Sequence, residues 1–126
     1  MNRHLAFIIE DEPDLSEIFA EALTEAGFIT EVISRGDKAL ARLAETVPDI
    51  VILDMHLPGV SGDKILRHIR TDPRLAGTRI VIASADDALA QALEADADLT
   101  LLKPVGFIQL RDLARRLIAK DSHGNR

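Results

Sequence analysis

Acidic residues end two of the most apolar stretches of this sequence: Glu10, Asp11 and Glu12 follow the run Leu5 to Ile9, and Asp54 follows Ile50 to Leu53. Ser84 closes a third run, Ile80 to Ala83, and Lys103, with Pro104 after it, closes a fourth, Leu99 to Leu102. Taken singly, each is ordinary. Acids cap helices and favour their N-termini, an aspartate forms turns, a serine caps the helix that follows it, and a lysine carries the end of a buried strand into solvent. As a set they permit phosphoryl transfer to a carboxylate. Like charges about 4 Å apart repel by roughly 4 kcal/mol at an effective dielectric near 20, so converging acids call for a cation. Lys103 is one candidate and a bound divalent ion is the other. With no cysteine and no histidines at ligand spacing among His4, His56, His68 and His123, oxygen donors favour magnesium over zinc. Asp54 would attack in line, magnesium and Lys103 would neutralise the phosphoryl oxygens, and the Ser84 hydroxyl would hydrogen-bond one of them. A carboxylate nucleophile needs no general base, so such a site requires no catalytic histidine.

These groups can meet only if the runs that carry them lie side by side. Short apolar runs alternate with amphipathic stretches along the whole chain, the pattern of parallel strands covered by helices. A fifth run, Phe28 to Ile33, completes the strands. Three of the five are continuously apolar, as strands buried on both faces should be. Between the runs, Leu15, Ile18, Phe19, Ala22 and Leu23 recur at helical spacing after Pro13, and Gly27 closes that helix. Further helices are predicted over Asp37 to Thr46, after Gly62 as far as Pro73, over Asp87 to Ala95, and through Phe107, Leu110, Leu113, Ala114 and Leu117. Five strands and five helices in strict alternation predict an α/β fold, a flavodoxin-like doubly wound parallel sheet of order 2-1-3-4-5. Ligands bind such sheets beyond the carboxyl ends of the strands, where these residues stand.

Composition narrows the function classes. The 126 residues suit one domain, expected over residues 1–121 with a polar tail over 122–126. A hydrophobic fraction of 47% with 29% charged residues is that of an ordinary soluble chain. The absence of cysteine excludes disulfides, thiolate metal sites and cysteine nucleophiles, and fits a reducing, cytoplasmic setting. A net charge of -6 argues against direct nucleic-acid or anionic-membrane binding. The one dense basic cluster, Arg111, Arg115, Arg116 and Lys120, reads as a solvated helix face. Asn2, Arg3 and His4 lead into an apolar run far too short for a signal peptide or membrane span.

Four segments together, Ile8-Ile9-Glu10-Asp11-Glu12-Pro13, Val51-Ile52-Leu53-Asp54-Met55 through Pro58-Gly59 to Gly62, Val81-Ile82-Ala83-Ser84-Ala85 and Leu101-Leu102-Lys103-Pro104, resemble the receiver domains of two-component response regulators, of the chemotaxis-regulator type. The likeness covers essentially the whole chain. It implies a signalling switch, not a metabolic enzyme, in which Asp54 accepts a phosphoryl group from a histidine kinase, a phosphotransfer protein or a small acyl phosphate. It also implies weak self-catalysed phosphorylation and dephosphorylation. Asp11, Asp54 and the main-chain carbonyl of His56 would bind magnesium directly and Glu10 mainly through a metal-bound water. Ser84 and Lys103 would contact the phosphoryl group, Ala85 would leave the acceptor accessible, and the side chains of His56 and Asp86 would tune hydrolysis.

The sequence departs from the family at Thr100, where most relatives carry Tyr or Phe three residues before the lysine. Threonine is too small to swing into the space a moving Ser84 would vacate; it is also simply a good strand residue. The resemblance places a protein target or a second copy against the face made by helix four, strand five and helix five. Many relatives continue into an output domain, so the chain reads as a single-domain regulator or as a piece of a longer protein. Two readings from other classes are a constitutive interaction module whose acidic pocket is unused and a magnesium-dependent phosphohydrolase with His56 as its acid.

Overall fold

The computed structural model describes residues 4–124, with side chains to residue 119. In chain order the elements are β1 (His4–Ile9), α1 (Pro13–Glu25), β2 (Phe28–Ile33), α2 (Gly36–Glu45), β3 (Ile50–Asp54), α3 (Gly62–Thr71), β4 (Arg79–Ser84), α4 (Asp87–Leu93), β5 (Leu99–Leu102) and α5 (Phe107–Gly124), with 3-10 turns at Pro73–Leu75 and Glu94–Asp96. The strands form one parallel sheet ordered β2-β1-β3-β4-β5, the expected arrangement.

The alternation of side chains along a strand divides the core in two. Phe7 and Ile9 of β1, with Val51 and Leu53 of β3, pack against Leu43 of α2 and Ile65, Leu66 and Ile69 of α3. Ala6 and Ile8, with Ile50 and Ile52, face Phe19, Ala22 and Leu23 of α1 and Leu110 and Ala114 of α5. Every residue of β3 is buried, which explains why its run is apolar up to Asp54. Truncating one of these fully buried side chains, such as Leu53 to Ala, would cost about 2–5 kcal/mol.

Local chemistry sets the element ends. Pro13 opens α1 with Glu12 as its cap, and Gly27, at φ 106°, makes the turn into β2. Two strands, β3 and β4, run one residue further than their apolar runs, so that Asp54 and Ser84 end them. The fourth helix, expected to reach Ala95, ends at Leu93 and tightens into a 3-10 turn. The cause is tertiary: Arg70 of α3 donates to the Asp96 carbonyl at 2.6 Å, and the Asp98 carboxylate accepts from the Ile80 N–H at 2.7 Å, pulling the chain into β5. The backbone of α5 continues helical to Gly124, past Asp121 and into the expected polar tail. Asn2 and Arg3, the side chains of Lys120 and His123, and residues 125–126 lie outside the described residues.

Candidate phosphoryl-acceptor site

Parallel pairing of β1 with β3, and of β3 with β4, brings the carboxyl ends of three strands to one edge of the sheet. The residue after β1, Glu10, is only 2% exposed, and its N–H donates to the Ile33 carbonyl of β2 at 3.1 Å. Asp11, one residue on, is exposed. Asp54, at the end of β3, is 5% exposed. Carboxylate oxygens of Glu10, Asp11 and Asp54 all lie within 4.8 Å of one another. The crowding that the strand order requires is therefore present.

Lys103 answers it. Its N–H donates to the Ser84 carbonyl at 2.9 Å, prolonging the β4–β5 ladder by one step, and the peptide to Pro104 is cis. From there its ammonium reaches across β4 to lie 2.8 Å from Glu10 Oε1 and 3.4 Å from Asp54 Oδ1. Lys103 is thus the ion-pair partner of the buried Glu10 Oε1. The other Glu10 oxygen accepts from the Glu12 N–H at 3.2 Å, and Asp54 Oδ1 accepts from the His56 N–H at 3.3 Å. Burial drives the Glu10 carboxyl above its ordinary range; Lys103 pulls it back and the Asp54 charge pushes it up again, leaving it raised. Burial alone would lower Lys103, but contact with Glu10 and the charge of Asp54 outweigh it, and its ammonium is held above the usual lysine value.

The remaining residues singled out from the sequence surround this cluster. Ser84, fully buried, pairs with Leu102 one step beyond the Asp54–Ala83 pair. Its hydroxyl accepts from the Asp86 N–H at 3.0 Å. The capping role considered for Ser84 falls to Asp86, whose carboxylate accepts from the Leu89 N–H at 3.1 Å. His56 and Asp86 are exposed on the loops after β3 and β4. Thr100 is half-buried on the edge strand β5, opposite Ile82, and stands apart from the acids. Glu12, the third acid of the first motif, turns outward to cap α1 through the Asp14 N–H. One residue escaped functional reading: a side chain at Gly62 would collide with the Asp54 carbonyl and the Met55 Cα, so only glycine lets α3 begin directly beneath the end of β3. Its N–H donates to the Met55 carbonyl at 3.0 Å. Its place in the Pro58-Gly59 to Gly62 motif was the available signal.

Residues 6–115 match the family described as response regulator receiver domain. The phosphate regulon transcriptional regulatory protein PhoB of Rhizobium meliloti is 33% identical over 116 residues, 90% of this chain and 51% of that protein. The DNA-binding response regulator MtrA of Mycolicibacterium smegmatis is 35% identical over 105 residues, 81% of this chain and 45% of its own. The chain thus spans about half the length of these curated relatives. Among solved structures, a receiver domain (CheY-like) from Methylobacillus flagellatus superposes with a TM-score of 0.81 at 26% identity, covering 92% of this chain and 99% of that one. The response regulator TrrA of Thermotoga maritima, solved in complex with Mg2+-BeF, does so with a TM-score of 0.79 at 27% identity, over 90% and 98% of the two chains. The match in sequence over almost the full sheet, together with the shared strand order, places this chain in the response regulator receiver domain family, the signalling modules of two-component systems.

Proposed function

We propose that the protein is a phosphorylation switch whose acceptor is Asp54. The observation that carries this reading is the convergence of Glu10, Asp11 and Asp54 with Lys103 at the carboxyl ends of β1, β3 and β5. A carboxylate oxygen of Asp54 attacks phosphorus in line; the new O–P bond forms as the bond to the donor breaks, and the donor, a kinase or phosphotransfer histidine or a small acyl phosphate, leaves with its electron pair. The Lys103 ammonium follows the phosphoryl oxygens, and the Ser84 hydroxyl, released from Asp86, hydrogen-bonds one of them. Glu10, Asp11, Asp54 and the main-chain carbonyl of His56 would hold magnesium: the donors are all hard oxygens, and the three carboxylates crowd together. When bound, that ion supplies the positive charge that offsets the acids and the incoming phosphoryl oxygens. The Mg2+-BeF complex of TrrA supports this assignment.

His56 and Asp86 tune loss of the phosphoryl group, and turnover by the protein itself is slow. Output passes to a protein target or second copy at the α4–β5–α5 face, with Thr100 removing the aromatic part of the usual switch. The domain occupies residues 1–121 and works in the cytoplasm; among the described residues no helix is long and apolar enough to cross a membrane. The test is incubation with magnesium and acetyl phosphate followed by intact mass. One added phosphoryl group is expected, absent in Asp54→Asn and retained in Glu12→Gln. Full labelling of Asp54→Asn would reject the acceptor, and sustained multiple turnover would favour a hydrolase instead.

A further inference from the structure

We propose that the α1–β2 edge of the sheet docks an extended, basic segment of a partner protein, which adds to β2 as a further strand. Among the described residues β2 is the last strand on its side and pairs only with β1, so its outward main-chain groups have no strand of those residues beside them. Pairing of Val32 with Ile8 puts Val32 on the α1 side of the sheet. There a groove of about 560 Å3 opens between helix and strand. Val32, 45% exposed, and Ala20 give it an apolar lining, and Thr24, whose hydroxyl meets that of Thr30 at 3.4 Å, adds a polar contact at one position. On the opposite face of the same strand Ile29 is 49% exposed.

The charge of the rim selects the occupant. Glu17 and Glu21 stand one helical turn apart along the groove, a like-charge pair that destabilises a helix. Neither has an ion-pair partner among the described residues, whereas Glu25, the next in that row, is tied to Arg111 at 2.8 Å. A second copy brought up by a twofold axis would present the same acids to the same groove, and the chain carries a net charge of -6. A basic segment relieves the repulsion instead. Strand addition supplies main-chain hydrogen bonds for affinity and pockets for alternate side chains for specificity. On the α1 side the added strand would set an apolar residue over Val32 and Ala20 and Lys or Arg against Glu17 and Glu21; on the other side an apolar residue would cover Ile29.

The test is selection from a random displayed-peptide library on the immobilised full chain, followed by titration of the synthetic consensus. We expect a consensus of basic residues alternating with apolar ones, protection of β2 amides from hydrogen exchange when it binds, and affinity at least about tenfold weaker for Glu17→Lys/Glu21→Lys, since like charges across an interface are strongly disfavoured. The milder Glu17→Gln/Glu21→Gln variant should lose less, with acetyl phosphate labelling unchanged in both, and carries the test should the lysine variant not fold. No enrichment, affinity indifferent to Glu17 and Glu21, protection away from β2, or self-association through this edge would each overturn the proposal.

Discussion

The two ends of the sheet use acidic residues in opposite ways. At the amino ends of the strands, Asp49 accepts from the Leu5 N–H at 2.7 Å and Asp98 from the Ile80 N–H at 2.7 Å. Asp98 also binds Arg70 at 3.0 Å and Arg79 at 3.2 Å. Each carboxylate there has donors enough. At the carboxyl ends, Glu10, Asp11 and Asp54 crowd together, and among the described residues Lys103 reaches only Glu10 and Asp54 of the three. The first arrangement ties strands and helices together. The second crowds like charges together, which under the proposed function a cation and a phosphoryl group would offset, so the same residue type stabilises one edge and strains the other.

The sharpest way to test that contrast is Lys103→Ala. It should bind magnesium still but lose the conformational response, because it removes the cation proposed to follow the phosphoryl oxygens. Beryllofluoride should shift the amide resonances around Ser84 and Thr100 strongly in the wild type and hardly at all in the variant; equal shifts would assign the response elsewhere. At the other end, Asp98→Ala removes charge-assisted bonds to Ile80, Arg70 and Arg79 and should cost about 2 kcal/mol in denaturant melts. Phosphoryl labelling at Asp54 should survive it, and a stability change near zero would mean that the amino-end acids do not secure the strands.

Asp11→Asn should move stability the opposite way, because it removes a charge from the crowded end. The metal-free gain is small, under about 1 kcal/mol, since Asp11 is exposed. Magnesium, held by the folded form alone under the proposed function, should raise the melting temperature of the wild type much more than that of the variant. Paired melts in EDTA and in millimolar magnesium measure this, and equal magnesium shifts would show that Asp11 is not a ligand.

The smallest expected effect is a pH dependence. The folded state raises Glu10 above 4.5, so between 4.5 and its raised value the native protein binds more protons than the unfolded chain. Metal-free stability should therefore rise as pH falls through that window. At lower pH the trend reverses, because Glu31, held low by Arg42, and Asp63, held low by Ser61, stabilise only while ionised. Glu10→Gln should remove the rise and keep the fall, as read from melts in EDTA between neutrality and acid; a rise that persists would assign it to another group.

Much of this was legible along the chain. Three runs gave β1, β3 and β4 because burial on both faces demands uninterrupted apolar residues, the two interrupted runs became the edge strands β2 and β5, and alternation with helices pointed to the doubly wound order. The acids, Ser84 and Lys103 could be found because a polar residue that ends a buried run is conspicuous. Other features were hidden because they depend on residues distant in sequence. Arg70 grips Asp96 and Asp98 from more than twenty residues away, which is why the end of α4 was misplaced. The cap of that helix moved from Ser84 to Asp86 because β4 runs on to Ser84, leaving the turn to the residues after it.

Type and spacing alone determined that this chain would form a parallel sheet with carboxylates, a hydroxyl and a lysine at its carboxyl edge, since periodicity and burial are local properties. Tertiary structure alone decided how charge is shared there: Lys103 lies nearer Glu10 than Asp54, Glu12 turns away to cap α1, and Gly62 admits α3 beneath the end of β3. Those outcomes turn on distances of a few ångströms between separate strands, and electrostatic and steric energies change steeply over that range.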